Sequence, residues 1–383
     1  EGEMTGGVYI HVPFCRRKCD YCNFYSVTVG PCTANGAVPG EYVRRLSGEI
    51  RDRLPAAGFS SADTVYFGGG TPSLLAAGQV KDLLDAVGRS VALEPGAEIT
   101  LEMNPGDASA DALSALRDAG VNRVVLGVQT LSERLHRLIG RSAAPCTARE
   151  LDIFFSVPGI ARCADIITGI PAQTVEELAR DIDLVAGYRP GHISAYILSI
   201  EKNTPLSLRL ARDKAAEADQ ARLFELTMER MRVRGYGQYE ISNYALPGCE
   251  SRHNMKYWRF EPYIGLGPGA HSFVGGERYV NAMTVEEYLA ADRAVLVHDA
   301  RTPDSAAVEY LMTGLRLLKG MSLDEMEERL TYRLPPAVKD GIGKAEADGL
   351  VEVDNDAGRT IRLTARGIMI ADRVIYGIVE PLL

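Results

Sequence analysis

The chain has 383 residues, of which 46% are hydrophobic and 24% charged, with a formal net charge of −9. That length suits one large domain plus a smaller one, with the apolar share of an ordinary globular core. The acidic balance disfavours nucleic-acid backbone as a partner. No apolar run reaches the ~18 residues that span a bilayer. No targeting segment is visible, so the expected compartment is the cytosol, where thiols stay reduced.

Short β-rich runs alternate with amphipathic stretches through the first half. Residues 8–12, 64–67, 99–102, 124–128, 164–167 and 193–198 read as strands. Apolar residues at three- and four-residue spacing predict helices at 41–54, 80–87, 111–119, 133–139 and 175–188. Thr174, with Glu177 three residues on, has the form of a capping box. This alternation implies a parallel sheet, and six units suit a partial (β/α)6 barrel better than an eight-unit one. Residues 201–209 read as a loop and 214–234 as a long amphipathic helix. Residues 235–276, rich in Gly, Pro, aromatics and His, read as an ordered loop covering a site. Helical patterns follow at 308–319, 322–330 (Ser322 as N-cap) and 336–349, and then a hairpin pattern across 355–358. The predicted fold class is α/β: a partial barrel over 1–235, a connecting and lid segment over 236–300, and a winged-helix-like domain over 301–383.

The unusual residues fall at strand ends. Cys15, Cys19 and Cys22 follow the first strand, on one loop with gaps of three and two residues. Gly68-Gly69-Gly70-Thr71-Pro72 follows the second, and Glu102 ends the third. Gln129 ends the fourth, Asp165 lies on the fifth, and Tyr196 lies on the sixth. Parallel α/β barrels build their sites at the C-terminal ends of their strands.

A closed cubane takes four thiolates. Three on one short loop hold three irons of a 4Fe–4S cluster and leave the fourth open to a small molecule. Zinc is the rival, but it wants a second pair of ligands. Cys32, Cys146, Cys163 and Cys249 are scattered singly. Arg16-Arg17-Lys18 inside the loop reads equally as solvated charge or as a surface that tunes the cluster or docks an electron donor.

The triple glycine admits close backbone approach to a ligand, or simply makes a tight turn. Glu102, Gln129, Arg141 and Asp165 singly are caps or surface residues. Together they suit a ligand with ribose hydroxyls and a carboxylate, which an Arg fork can pair. His253-Asn254-Met255-Lys256-Tyr257-Trp258 offers an iron-ligating imidazole beside aromatics. Taken alone it also reads as a loop whose His and Tyr satisfy backbone groups.

These residues resemble the radical S-adenosylmethionine (SAM) superfamily. More narrowly, they resemble its coproporphyrinogen-oxidase-like branch, which includes HemW-type haem chaperones. The cysteine loop, Gly-Gly-Gly-Thr-Pro-Ser, Gly-Val-Gln and Gly-Leu-Gly-Pro-Gly-Ala-His carry the resemblance from about Val8 onward. It implies that Cys15, Cys19 and Cys22 hold the cluster. It also implies that Tyr9, Gly69, Gly70, Thr71, Glu102, Gln129, Arg141 and Asp165 contact SAM. In this superfamily an electron from the reduced cluster, supplied by a donor such as flavodoxin or ferredoxin, yields a 5′-deoxyadenosyl radical. His253 and Tyr257 match the family's proposed haem motif, which turns the reading of that segment towards haem. Phe24 stands where the oxygen-independent oxidases carry a further Cys, and the long N-terminal extension of those oxidases is absent. Both departures point to a haem chaperone that passes haem to recipient haemoproteins, including those at a membrane. The alternatives are oxidative decarboxylation of coproporphyrinogen III, another radical reaction on a tetrapyrrole, or a radical methyl transfer. The helix at 336–349 has no basic bias, so DNA is not an expected partner.

Overall fold

The structure is a computed structural model that describes residues 4–29, 37–141, 145–210, 219–294, 296–356 and 358–383. Cys32 and residues 214–218 of the expected helix lie outside the described residues.

Six parallel strands pair in chain order: β1 (Thr5–Val12), β2 (Ser61–Gly69), β3 (Ala92–Met103), β4 (Arg123–Gln129), β5 (Ala161–Thr168) and β6 (His192–Ile197). Their centres are apolar, and Val65, Phe67, Leu101, Val124, Leu126, Ala164 and Ile166 are fully buried. Strands covered on both faces need such runs. The helices α1 (Gly40–Arg53), α2 (Ala77–Ser90), α3 (Ala110–Asp118), α4 (Glu133–Leu138), α5 (Ala148–Ser156) and α6 (Val175–Gly187) fall between them. The Thr174–Glu177 capping box forms at the start of α6. Helix α5 was not anticipated, although Thr147 and Glu150 make the same box at its start.

Two segments differ from their expected form. Part of the 201–209 loop is the helix α7 (Pro205–Leu210), and α8 (Gln220–Val233) follows it. Residues 235–276 are not a covering loop. They supply β7 (Gly237–Gln238) and β8 (Asn243–Ala245), then α9 (Arg252–Trp258), then β9 (Tyr263–Leu266) and β10 (His271–Val274). Strand β8 pairs antiparallel with β6, whereas β9 pairs parallel with β1 and is a seventh parallel strand. Glycine density hid this strand. A Cβ on Gly265 would lie 2.1 Å from the carbonyl oxygen of His271, so the close crossing of β9 and β10 requires glycine there. Strands β11 (Glu277–Asn281) and β12 (Leu296–Asp299) complete a twelve-stranded sheet.

The C-terminal part has the three expected helices, at Pro303–Gly314, Leu323–Arg329 and Pro336–Ala347, with Ser322 capping the second. The hairpin Val351–Asp354 with Thr360–Leu363 gains a third strand, Met321–Ser322. A last helix, Ala371–Val379, closes the core of this part, to which Phe224, Phe260 and Phe273 also belong. Among the described residues no helix is long and apolar enough to cross a membrane.

Candidate functional site

A cavity of about 700 Å³ lies at the C-terminal ends of the barrel strands and runs into the lumen. Ten of the residues singled out from sequence line it together: Cys15, Cys19, Cys22, Gly69, Gly70, Thr71, Glu102, Gln129, Arg141 and Asp165. Tyr9, His253 and Tyr257 are not among its lining residues.

The cysteine loop is held at both ends. Cys15 pairs with Thr28 in a short parallel bridge, and Val29 N donates to Cys15 O at 2.9 Å. Further along, Asp20 N donates to Ile139 O, and Leu206 N donates to Asp20 O. Arg209 donates to Asp20 Oδ2 at 2.6 Å and also to Leu138 O, so α7 clamps the loop against α4. Thr71 Oγ1 lies 3.5 Å from Cys15 Sγ. Burial pushes the Cys19 and Cys22 thiols up, and Arg141 counters this at Cys19. Arg16 pairs with Asp107 at 2.6 Å and Lys18 donates to Phe24 O at 3.0 Å. Arg17 is exposed and makes no ion pair among the described residues. Phe24 is 72% exposed at the cavity mouth.

The opposite wall is polar. Glu102 accepts from Tyr66 OH at 2.8 Å, and burial moves its pKa up to about 7. Burial moves Asp165 up to about 6, and its Oδ1 has no hydrogen-bond partner among the described residues. Gln129 sits in the left-handed region at φ 66, at a register shift between β4 and β5, and its Oε1 accepts from Tyr196 OH at 2.6 Å. Such strain collects at ligand sites. Arg141 donates to Asn104 Oδ1 at 2.6 Å and to Gly127 O at 2.9 Å, which fixes its guanidinium at the mouth. A Cβ on Gly70 would lie 2.7 Å from Phe14 O, so the glycine turn packs directly under the cysteine loop.

These residues fit a 4Fe–4S cluster with SAM. Three thiols stand on one wall, and an orphaned buried carboxylate oxygen and an Arg stand around the same cavity. Among the described residues, no three His, Cys, Asp or Glu side chains gather at the distance of a single ion.

Tyr9 stands behind the cavity wall: its OH bonds His11 Nδ1 at 3.0 Å, and its ring stacks on Tyr66. His253 is fully buried on α9. Its Nδ1 pairs with Thr64 Oγ1 and its Nε2 with Tyr257 OH, each at 2.8 Å. Burial moves its pKa down to about 3, so the ring is neutral. The two residues expected to meet haem therefore meet each other. Tyr66, Arg123, His192 and Asn243 line the cavity but were missed. Arg123, a cation inside the apolar run 121–128, was the available signal.

The model of the radical SAM superfamily matches residues 9–185, and that of the HemN C-terminal domain matches residues 302–370. The chain is 34% identical over 382 residues to the haem chaperone HemW of Mycobacterium tuberculosis, covering 96% of this chain and 93% of that one. It is 32% identical to HemW of Bacillus subtilis (96% and 97% covered) and 36% identical to HemW of Escherichia coli (82% of each). The structure of the E. coli coproporphyrinogen III oxidase HemN, a radical SAM enzyme, superposes with a TM-score of 0.81 at 20% identity. That match covers 99% of this chain and 91% of HemN, and it is a likeness of fold alone. The chain belongs to the HemW haem-chaperone family of the radical SAM superfamily.

Proposed function

We propose that this protein is a haem chaperone that holds a 4Fe–4S cluster and SAM at the barrel mouth and carries haem to recipient haemoproteins. The observation that carries the cluster and SAM part is the convergence of Cys15, Cys19 and Cys22 with Gly69–Thr71, Glu102, Arg141 and Asp165 around one cavity. The haem part rests on the kinship with HemW proteins over almost the whole chain.

Cys15, Cys19 and Cys22 would hold the cluster, which would supply a binding place for SAM and one electron. The chain's own residues do the rest. Glu102 and the orphaned Asp165 Oδ1 are acceptors for sugar hydroxyls. Arg141, already anchored by two bonds, keeps further donors for a carboxylate. Tyr196 holds Gln129 in its left-handed conformation. Arg17, exposed beside the cluster loop, offers a cation to an acidic electron donor such as flavodoxin or ferredoxin.

Phe24 favours the chaperone over the oxidase, because it offers no thiolate at the place where the oxidases carry another cysteine. The test is anaerobic incubation of reconstituted protein with reductant, SAM and coproporphyrinogen III, alongside haem titration and transfer to an apo-haemoprotein. Stoichiometric haem binding and transfer without protoporphyrinogen formation are expected. In Cys19→Ala, iron loading and SAM binding should fall together. Protoporphyrinogen formed at a catalytic rate would overturn the chaperone reading.

A further inference from the structure

A second cavity, of about 1680 Å³, opens at the opposite end of the barrel. Its walls come from the first residues of β4 and β5, from α9, and from the turn joining the Pro303–Gly314 helix to the three-stranded sheet. Arg123 is the one residue that lines both cavities.

Size separates their uses. A pocket for one drug-sized ligand takes roughly 300–1,000 Å³. The upper cavity, at about 700 Å³, has the size for SAM with a cluster. The lower one is more than twice as large, room enough for a macrocycle.

Charge separates them as well. The chain is net negative at −9, yet eight Arg or Lys against five Asp or Glu line the lower cavity. Four of those acids are already engaged, Glu261 with Lys256 at 3.4 Å and Glu325 with Arg329 at 3.3 Å among them. Asp63 pairs with Lys256 at 2.8 Å, and Glu98 accepts the N–H groups of Arg252 and His253. Arg189, Arg232 and Lys319 are exposed on its rim, and their side chains make no ion pair or hydrogen bond among the described residues. Below this rim the wall is aromatic and thioether: Tyr236, Met255 and Trp258, with Arg316 stacked 4.7 Å from the Trp258 ring centre. A broad apolar wall under a cationic rim suits a flat, apolar dicarboxylate.

The motif on α9 fits this arrangement. His253 is bonded to Thr64 and to Tyr257, while Arg252, Met255 and Trp258 of the same helix, and Arg259 just after it, line the lower cavity.

We propose that the lower cavity is the haem site, with the propionates on Arg189, Arg232 and Lys319 and the macrocycle against Met255 and Trp258, and that His253 and Tyr257 brace the helix that forms its wall. The proposal rests on the reading of the chain as a haem binder. The test is spectroscopic titration of the full chain with ferric haem and with its dimethyl ester. In Arg189→Glu/Arg232→Glu/Lys319→Glu, Kd for haem should rise at least tenfold with unchanged thermal melting. The dimethyl ester should bind the parent chain at least tenfold more weakly than haem. The variant Cys15→Ser/Cys19→Ser/Cys22→Ser should bind haem as tightly as the parent. Unchanged haem affinity in the charge-reversed chain, or lost affinity in the cysteine variant, would overturn the site. Absence of haem binding by the parent would instead overturn the function proposed above.

Discussion

At the residue scale the site depends on carboxyl groups held away from water. Glu102 and Asp165 face the same lumen; burial raises both, Asp165 adds to the cost of ionising Glu102, and Arg123 partly relieves both. Glu102 in the fold stays protonated to about pH 7, well above its ordinary value. Its neutral form therefore contributes stability that is fully present below the unfolded pKa and is lost as pH rises through about 7. Ligand binding runs the other way, because only the carboxylate accepts two hydroxyl donors well. SAM affinity of the cluster-loaded chain should rise severalfold from about pH 6 to about pH 8, and Glu102→Gln should flatten that rise. Calorimetry across this range is the check, with Asp165→Asn as a control that keeps the upper part of the slope. A flat parent profile would remove Glu102 from the ribose contact.

At the element scale the cysteine loop is positioned by neighbours that carry no chemistry. Gly140 ends α4 at φ 64, and a Cβ there would lie 2.1 Å from Asp20 Cγ. Asp20 is the residue that α7 clamps through Arg209. Gly140→Ala should therefore cost about 1–3 kcal/mol and also lower the iron bound per chain. Gly96→Ala separates the two effects. Its backbone is left-handed as well, at φ 76, but a Cβ there meets nothing within 4 Å. It should lower thermal stability while iron loading stays at the parent level. Equal iron loss in both variants would mean that strain alone, and not contact with Asp20, disturbs the loop.

At the scale of the whole molecule, a buried acid ties the late chain to the first barrel unit. Glu49 of α1 accepts from Tyr288 OH at 2.6 Å, from Gly267 N at 2.9 Å and from Asn281 Nδ2 at 3.3 Å, and it pairs with Arg53. Arg53 in turn donates to Gly265 O of β9. One carboxylate thus anchors β9 and the strands beyond it. Glu49→Ala takes the acceptor from Tyr288 OH and the ion-pair partner from Arg53, and breaking such a pair costs about 3–5 kcal/mol. Urea unfolding should show the loss, with cluster loading affected only as far as the fold is. A change under about 1 kcal/mol would show that water replaces the carboxylate there.

The six barrel strands, the capping box of α6, the C-terminal hairpin and the cluster of polar residues at the strand ends were all legible in the sequence. Each is a local signal: apolar runs, a Thr three residues before a Glu, turn residues between β-rich segments. Cys15, Cys19 and Cys22 needed only their spacing to line one cavity, because three side chains on one short loop stay near one another wherever that loop goes. What lies between distant segments was not legible. Glycines in β9 read as loop until β10 lay across them. Tyr66 looked like an ordinary strand residue until Glu102 stood opposite it. His253 and Tyr257 carried the letters of a ligand pair, but only the packed α9 decided that their polar atoms are spent on Thr64 and on each other. Local spacing determined the cluster loop. Burial and hydrogen-bond partners, which the tertiary structure alone supplies, decided which polar atoms stay free for a ligand.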